Sequence, residues 1–169
     1  MRFLTRDWHA GARSDAESEA TAAAYSAHRA SVLPLLPVRF RIFAETIDIH
    51  DAMVRATRLD LLADTLRIDL RAGDLQQGYF DLSLRYGVVD ASTIDRRALA
   101  LIAQDPNAEA LYHEVDIAAN GRYEHRWLWW PYQELDVRFV EFDFATELRS
   151  DRTFQPSASP FVEIVEPAG

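Results

Sequence analysis

Leu111-Tyr112-His113-Glu114-Val115-Asp116-Ile117-Ala118-Ala119-Asn120-Gly121-Arg122-Tyr123-Glu124-His125-Arg126-Trp127-Leu128-Trp129-Trp130 is the passage on which the fold turns. Two runs rich in aromatic and branched residues, Leu111 to Ala118 and Tyr123 to Trp130, flank Asn120-Gly121. Asn-Gly is the strongest short hairpin signal, because both turn residues tolerate positive φ. A two-residue turn there sets Asp116 opposite His125, Glu114 opposite Trp127 and Val115 opposite Arg126. A second reversal at Tyr132-Gln133 sets Trp130 opposite Leu135, Leu128 opposite Val137 and Trp127 opposite Arg138.

These registers divide the residues into two faces. One face collects Leu111, Val115, Ile117, Leu128, Trp130, Leu135, Val137 and Phe139. The other collects Tyr112, Glu114, Asp116, Tyr123, His125, Trp127, Trp129, Asp136 and Arg138. Beyond Phe139 the apolar phase moves from odd to even positions, at Val140, Phe142 and Phe144. One extra residue near Phe139-Val140, a β-bulge, restores a common face; cover on both faces is the alternative.

Working outward, Leu66, Ile68 and Leu70 alternate with Arg67, Asp69 and Arg71, the period of a half-buried strand. Ala72-Gly73-Asp74 reads as a turn, and Phe80, Leu82, Leu84 and Tyr86 alternate after it. Met53 to Asp60 adds an earlier strand, making a three-stranded meander. Between the meanders, Ser92-Thr93-Ile94-Asp95 opens a helix striped with Ile94, Ala98, Leu101 and Ile102, which Asp105-Pro106-Asn107 ends. At the front, Ser14-Asp15-Ala16-Glu17 is a capping box before an alanine-rich helix that runs to about Val32, ahead of Pro34. Leu35 to Thr46 fits a second helix through Phe40, Phe43 and Ile47, although Val38, Phe40 and Ile42 also alternate like a strand.

The expected fold is therefore α+β: N-terminal helices packed on an antiparallel sheet of about six strands, in two three-stranded meanders separated by a helix. Residues 1–150 form one domain. Residues 151–169 form a proline- and serine-containing tail, with Phe161 to Val165 as a short strand or an unstructured end.

Composition narrows the function classes. The chain has 169 residues, 49% hydrophobic, which suffices for a core without disulfide or metal. It has no cysteine, which excludes thiolate chemistry and cysteine-bound zinc. All eighteen basic residues are arginine, and the net charge of -9 argues against nucleic acid as a partner. No apolar run is long enough for a membrane helix, and the N-terminus lacks an apolar signal region, so a cytoplasmic protein is expected. No nucleotide, metalloprotease, calcium or serine-hydrolase motif is present, and no cofactor is implied.

Three groups of residues could carry function. His50-Asp51 can hold metal or move protons, but an aspartate at an element junction also makes turn hydrogen bonds. His113 falls on the apolar face, where a lone histidine is ordinarily a core residue with one hydrogen bond. The face bearing Tyr112, Glu114, Asp116, Tyr123, His125, Trp127, Trp129 and Arg138 has the composition of a recognition surface. On it, Asp116 would stabilise charged His125, and Arg138 would sit on Trp127. Cover by the N-terminal helix would instead make these aromatics a second core layer. Glu114 and Asp116 share a strand face but have no substrate feature beside them.

The segments Met1-Arg2-Phe3-Leu4-Thr5-Arg6-Asp7-Trp8, His50-Asp51, Leu111-Tyr112-His113-Glu114-Val115 and Tyr123-Glu124-His125-Arg126 resemble an uncharacterised bacterial family of unknown function. That resemblance implies bacterial origin and carries over no catalytic residue. Small acidic α+β immunity proteins are similar in size and class. The expectation is a non-enzymatic module that binds another protein with a basic surface, with homo-oligomerisation as a further option. The alternative is a small metal-dependent or acid/base hydrolase using His50, Asp51, His113 or His125.

Overall fold

Ser14 caps the first long helix as the capping box requires: its hydroxyl accepts from Glu17 N–H, and the Glu17 carboxylate accepts from Ser14 N–H. The computed structural model describes residues 1–76, 78–150 and 161–167. Its helices are α1 (Arg6–His9), α2 (Asp15–Val32), α3 (Val38–Thr46) and α4 (Arg96–Gln104). Pro34 ends α2 in a short 3-10 turn, and α3 takes the helical option for the Phe40/Phe43 segment. The cap of α4 is Asp95, which accepts from Arg97 and Ala98 N–H, and not Ser92, which sits in a separate 3-10 turn. Among the described residues, no helix is long and apolar enough to cross a membrane.

The strands are β1 (Ala52–Asp60), β2 (Thr65–Asp74), β3 (Gly78–Gly87), β4 (Glu109–Ile117), β5 (Tyr123–Trp130), β6 (Gln133–Phe139), β7 (Glu141–Leu148) and β8 (Phe161–Val165). They form one sheet in the order β6-β5-β4-β1-β2-β3-β7, with β8 lying parallel to β1. The two expected meanders are thus joined. β1 pairs β4 through Ala52 and Met53, then diverges, and β8 occupies its edge from Ala56 to Asp60. The expected turn at Ala72-Gly73-Asp74 lies inside β2, where Gly73 has φ +97° and a side chain would overlap the Gly78 carbonyl. The terminal strand docks on the parent sheet. The linker expected at 151–160 lies outside the described residues.

Val140 is where the sheet acquires its shape. β6 pairs β5 up to Phe139, and β7 pairs β3 from Glu141, so the two ends of the strand order are one continuous run of chain. The sheet must curl until those ends meet. Arg138 carbonyl accepts from Asp90 N–H (2.8 Å) and Gly87 carbonyl accepts from Val140 N–H (3.1 Å), which seals the corner. The phase shift in the sequence is real, but it marks a change of pairing partner and not a bulge within one pair.

Inside the curl, α3 inserts Phe40 and Phe43, which contact Phe142; Phe40 also meets Phe139. Leu66, Ile68, Leu70, Leu82 and Leu84 complete that wall, and α4 adds Leu99 and Ile102. β4 and β6 have the expected faces; β5 is inverted. The first loop is Ala119-Asn120-Gly121, closed by Ala118 carbonyl accepting from Gly121 N–H (2.9 Å), with Gly121 at φ +79°. Val115 therefore faces His125, Glu114 faces Arg126 and Asp116 faces Glu124. In the second hairpin Trp127 faces Leu135 and His125 faces Val137. An odd slip in each hairpin moves every β5 side chain to the opposite face. His125, Trp127 and Trp129 point into the core and are fully buried. The expected aromatic face does not exist, and neither the Asp116–His125 nor the Trp127–Arg138 contact forms.

The outer face of β4-β5-β6 is polar and largely sealed. Glu114, 1% exposed, accepts from the backbone N–H groups of Arg2, Phe3 and Leu4 at 2.8, 2.7 and 2.7 Å. Arg126 bridges Glu124 and Asp116, and Arg138 donates to Glu124 at 2.7 Å. Cover on this face comes from the extended N-terminal segment and from α2, whose His28 reaches Asp116 at 3.2 Å. Glu114→Ala leaves three backbone donors without their acceptor, whereas Arg126 keeps Glu124 and Asp116. A loss on the order of 3 kcal/mol in urea unfolding is expected; a loss under about 1 kcal/mol would show that the segment is held by other contacts.

Candidate functional site

Turning β5 inward puts His125 in contact with two polar side chains from other strands. Tyr86, on β3, places its Oη 2.9 Å from His125 Nδ1. His125 Nε2 lies 2.9 Å from Nδ1 of His113, on β4. The rings of Phe40, Phe43 and Trp127 surround this chain. Donor counting sets its direction. The Tyr86 proton has one acceptor among the described residues, His125 Nδ1, and the neighbouring Trp127 indole N–H is itself a donor without a partner. His125 then donates Nε2–H to His113 Nδ1, and His113 carries its proton on Nε2; the tautomers follow from the network.

Burial holds the chain neutral. It pushes His113 down to about 4, aided by the Arg29 charge and opposed by Asp48. It also pushes His125 well below its usual range, helped by the neighbouring His113, and lifts the Tyr86 phenol well above its own. At neutral pH the chain is a line of uncharged donors and acceptors ending at His113.

His113 opens onto a cleft of about 410 Å³ between α2, residues 48–50 and β4, lined among others by Tyr25, Arg29, Asp48, His50 and Tyr112. Tyr25 reaches over from α2 and donates to the His113 carbonyl at 3.0 Å. His50 stands on the rim, edge-on to Tyr112, with its Nδ1 2.8 Å from the Asp51 carboxylate. Asp48 accepts from His50 N–H, the turn bond that such a junction favours. His50 and His113 thus share a cleft, although it is His125 that His113 touches. A larger hollow, about 670 Å³, lies on the outer face of β1-β2-β3-β7. Four of its charged side chains are spent in pairs, Arg55 with Asp81 at 2.7 Å and Arg67 with Asp69 at 2.9 Å.

The other expected site residues scatter. Tyr112 lines the cleft beneath Trp8 and His50. Glu114 anchors the N-terminus, and Asp116 pairs with Arg126 and His28. Tyr123 packs inward on Phe139, Trp129 stacks on Trp127, and Arg138 lies outside against Glu124. Tyr86 and Arg29 went unnoticed in the sequence. Tyr86 ends an alternating apolar run, so its hydroxyl was legible as a polar group on a core-facing position. Among the described residues, no three histidine, aspartate or glutamate side chains cluster to hold a metal ion.

No protein-family model, curated protein or solved structure matches the chain.

The buried histidines make stability depend on pH with a defined sign. Their folded pKa values lie below the ~6.5 of an unfolded histidine, so as pH falls the unfolded chain takes up protons first. Stability is full above ~6.5 and is lost as pH drops toward the folded value of about 4 for His113. His113→Gln should flatten the fall in melting temperature over that window. An unchanged slope would mean that His113 is not held neutral.

Proposed function

We propose that the cleft at His113 is a small-molecule site in which the neutral imidazole of His113 is a fixed hydrogen-bond donor. The observation that carries this reading is the buried Tyr86–His125–His113 chain, which ends at that cleft. A neutral imidazole N–H aimed into a desolvated site can polarise a carbonyl or hold a developing oxyanion. Tyr86 and His125 act as positioning residues that set the tautomer of His113. Because Tyr86 keeps its proton, the chain orients and polarises without carrying a net charge to its buried end. Three polar rings amid Phe40, Phe43 and Trp127 cost stability that an apolar core would not lose, which is the pattern of a functional site.

Long-range 1H–15N spectra of the imidazoles test this. Both histidines should be neutral Nε2–H tautomers at pH 7, and Tyr86→Phe should alter the tautomer balance of both. A charged imidazole at pH 7, or no response to Tyr86→Phe, would defeat the reading.

A second reading, an interaction module of the immunity-protein kind, has one observation in its favour. Leu35, in the turn before α3, and Val38 and Ile42, on α3, are large apolar side chains left 65%, 61% and 38% exposed. The net charge of -9 would steer a basic partner toward them. Sedimentation of wild type and Val38→Glu over a range of concentrations tests self-association through these side chains. Association lost in the variant supports an interface; a monomer in both removes the homo-oligomer.

A further inference from the structure

Two donors of different character line the cleft. His113 presents its Nε2–H as the open end of the buried chain. Arg29, half-buried on α2, brings a guanidinium to the same cleft. Arg29 hydrogen-bonds through Nη2 to the Ala44 carbonyl, and among the described residues no carboxylate pairs with it. This contrasts with Arg126, which reaches Glu114, Asp116 and Glu124, in a chain whose 27 acidic residues outnumber its 18 basic ones. A half-buried guanidinium that has kept its charge unmatched beside a fixed neutral donor is arranged to meet an anion with two oxygens.

The carboxylates nearest this cleft, Asp48 on its wall and Asp51 beside His50, are engaged elsewhere and leave Arg29 unpaired. Asp51 is engaged with His50. Asp48 is solvent-exposed, accepts from His50 N–H, and forms no ion pair with Arg29. Leu4, Ile49, Leu111 and Tyr112 supply apolar wall, and the volume of about 410 Å³ suits a small organic molecule.

We propose that the cleft binds a small organic carboxylate, with one oxygen on the Nε2–H of His113 and its charge matched by Arg29. The proposal rests on the small-molecule reading above and names the ligand class for that site.

The test uses the full chain and three isosteric probes: benzoate, benzamide and benzamidine. Benzoate should shift the His113 imidazole resonances and bind at least tenfold more tightly than benzamide, with affinity falling as salt rises. Arg29→Gln should weaken benzoate at least tenfold, whereas Arg29→Lys, which keeps the charge, should retain part of the binding. The lysine variant and the salt series keep the test decisive if the glutamine variant folds poorly. Benzamide or benzamidine binding at His113 as tightly as benzoate overturns the carboxylate class and leaves the small-molecule site standing, as does undiminished benzoate binding by Arg29→Gln. Failure of all three probes to perturb His113 takes down both readings.

Discussion

The change of partner at Val140 is the constraint from which the remaining architecture follows. One run of chain serves β5 on one side of the residue and β3 on the other, so the sheet cannot lie open. Curling brings β3 across from β5, and only then can a tyrosine and a histidine 39 positions apart share a proton. The same closure makes a concave interior that α3 fills with Phe40 and Phe43. A flat sheet of the same strands would leave those rings packed on one layer and Tyr86 remote from His125.

Polar groups are distributed very differently on the two sides of this wall. Outside, charges meet charges: Glu114 gathers backbone donors, and Glu124 and Asp116 share Arg126. Inside, the polar atoms are neutral and few. The indole N–H groups of Trp127 and Trp129 and the Thr57 hydroxyl have no protein partner. An unsatisfied buried donor costs about 1–3 kcal/mol, so the interior near the histidine chain is less stable than its aromatic packing alone would make it.

Several features were readable in the residues because they depend on neighbours in sequence. The Ser14–Glu17 box, the Pro34 stop, the alternation through Leu66–Leu70 and Phe80–Tyr86, and the helical spacing of Phe40 and Phe43 all came out where local rules put them. The facing of β5 did not. The loop at Ala119-Asn120-Gly121 is one residue longer than a two-residue turn, and the reversal around Pro131 shifts the next pairing by another odd number. The errors cancel between β4 and β6, so both outer strands kept their correct faces and only the strand between them was turned over. Agreement between two registers tests the flanking strands and is blind to the middle one.

What the sequence by itself determined were the long helices, six of the eight strands, their order and the apolar faces of β4 and β6, since these follow from periodicity, capping and turn chemistry over a few residues. What only the tertiary structure decided were the joining of the meanders into one curled sheet, the burial of His125, Trp127 and Trp129, and the meeting of Tyr86, His125 and His113. These depend on loop lengths that set strand parity and on a closure between distant strands. Neither leaves a local trace: a histidine that alternates with Glu124 and Arg126 looks the same in the residues whether it faces water or the core.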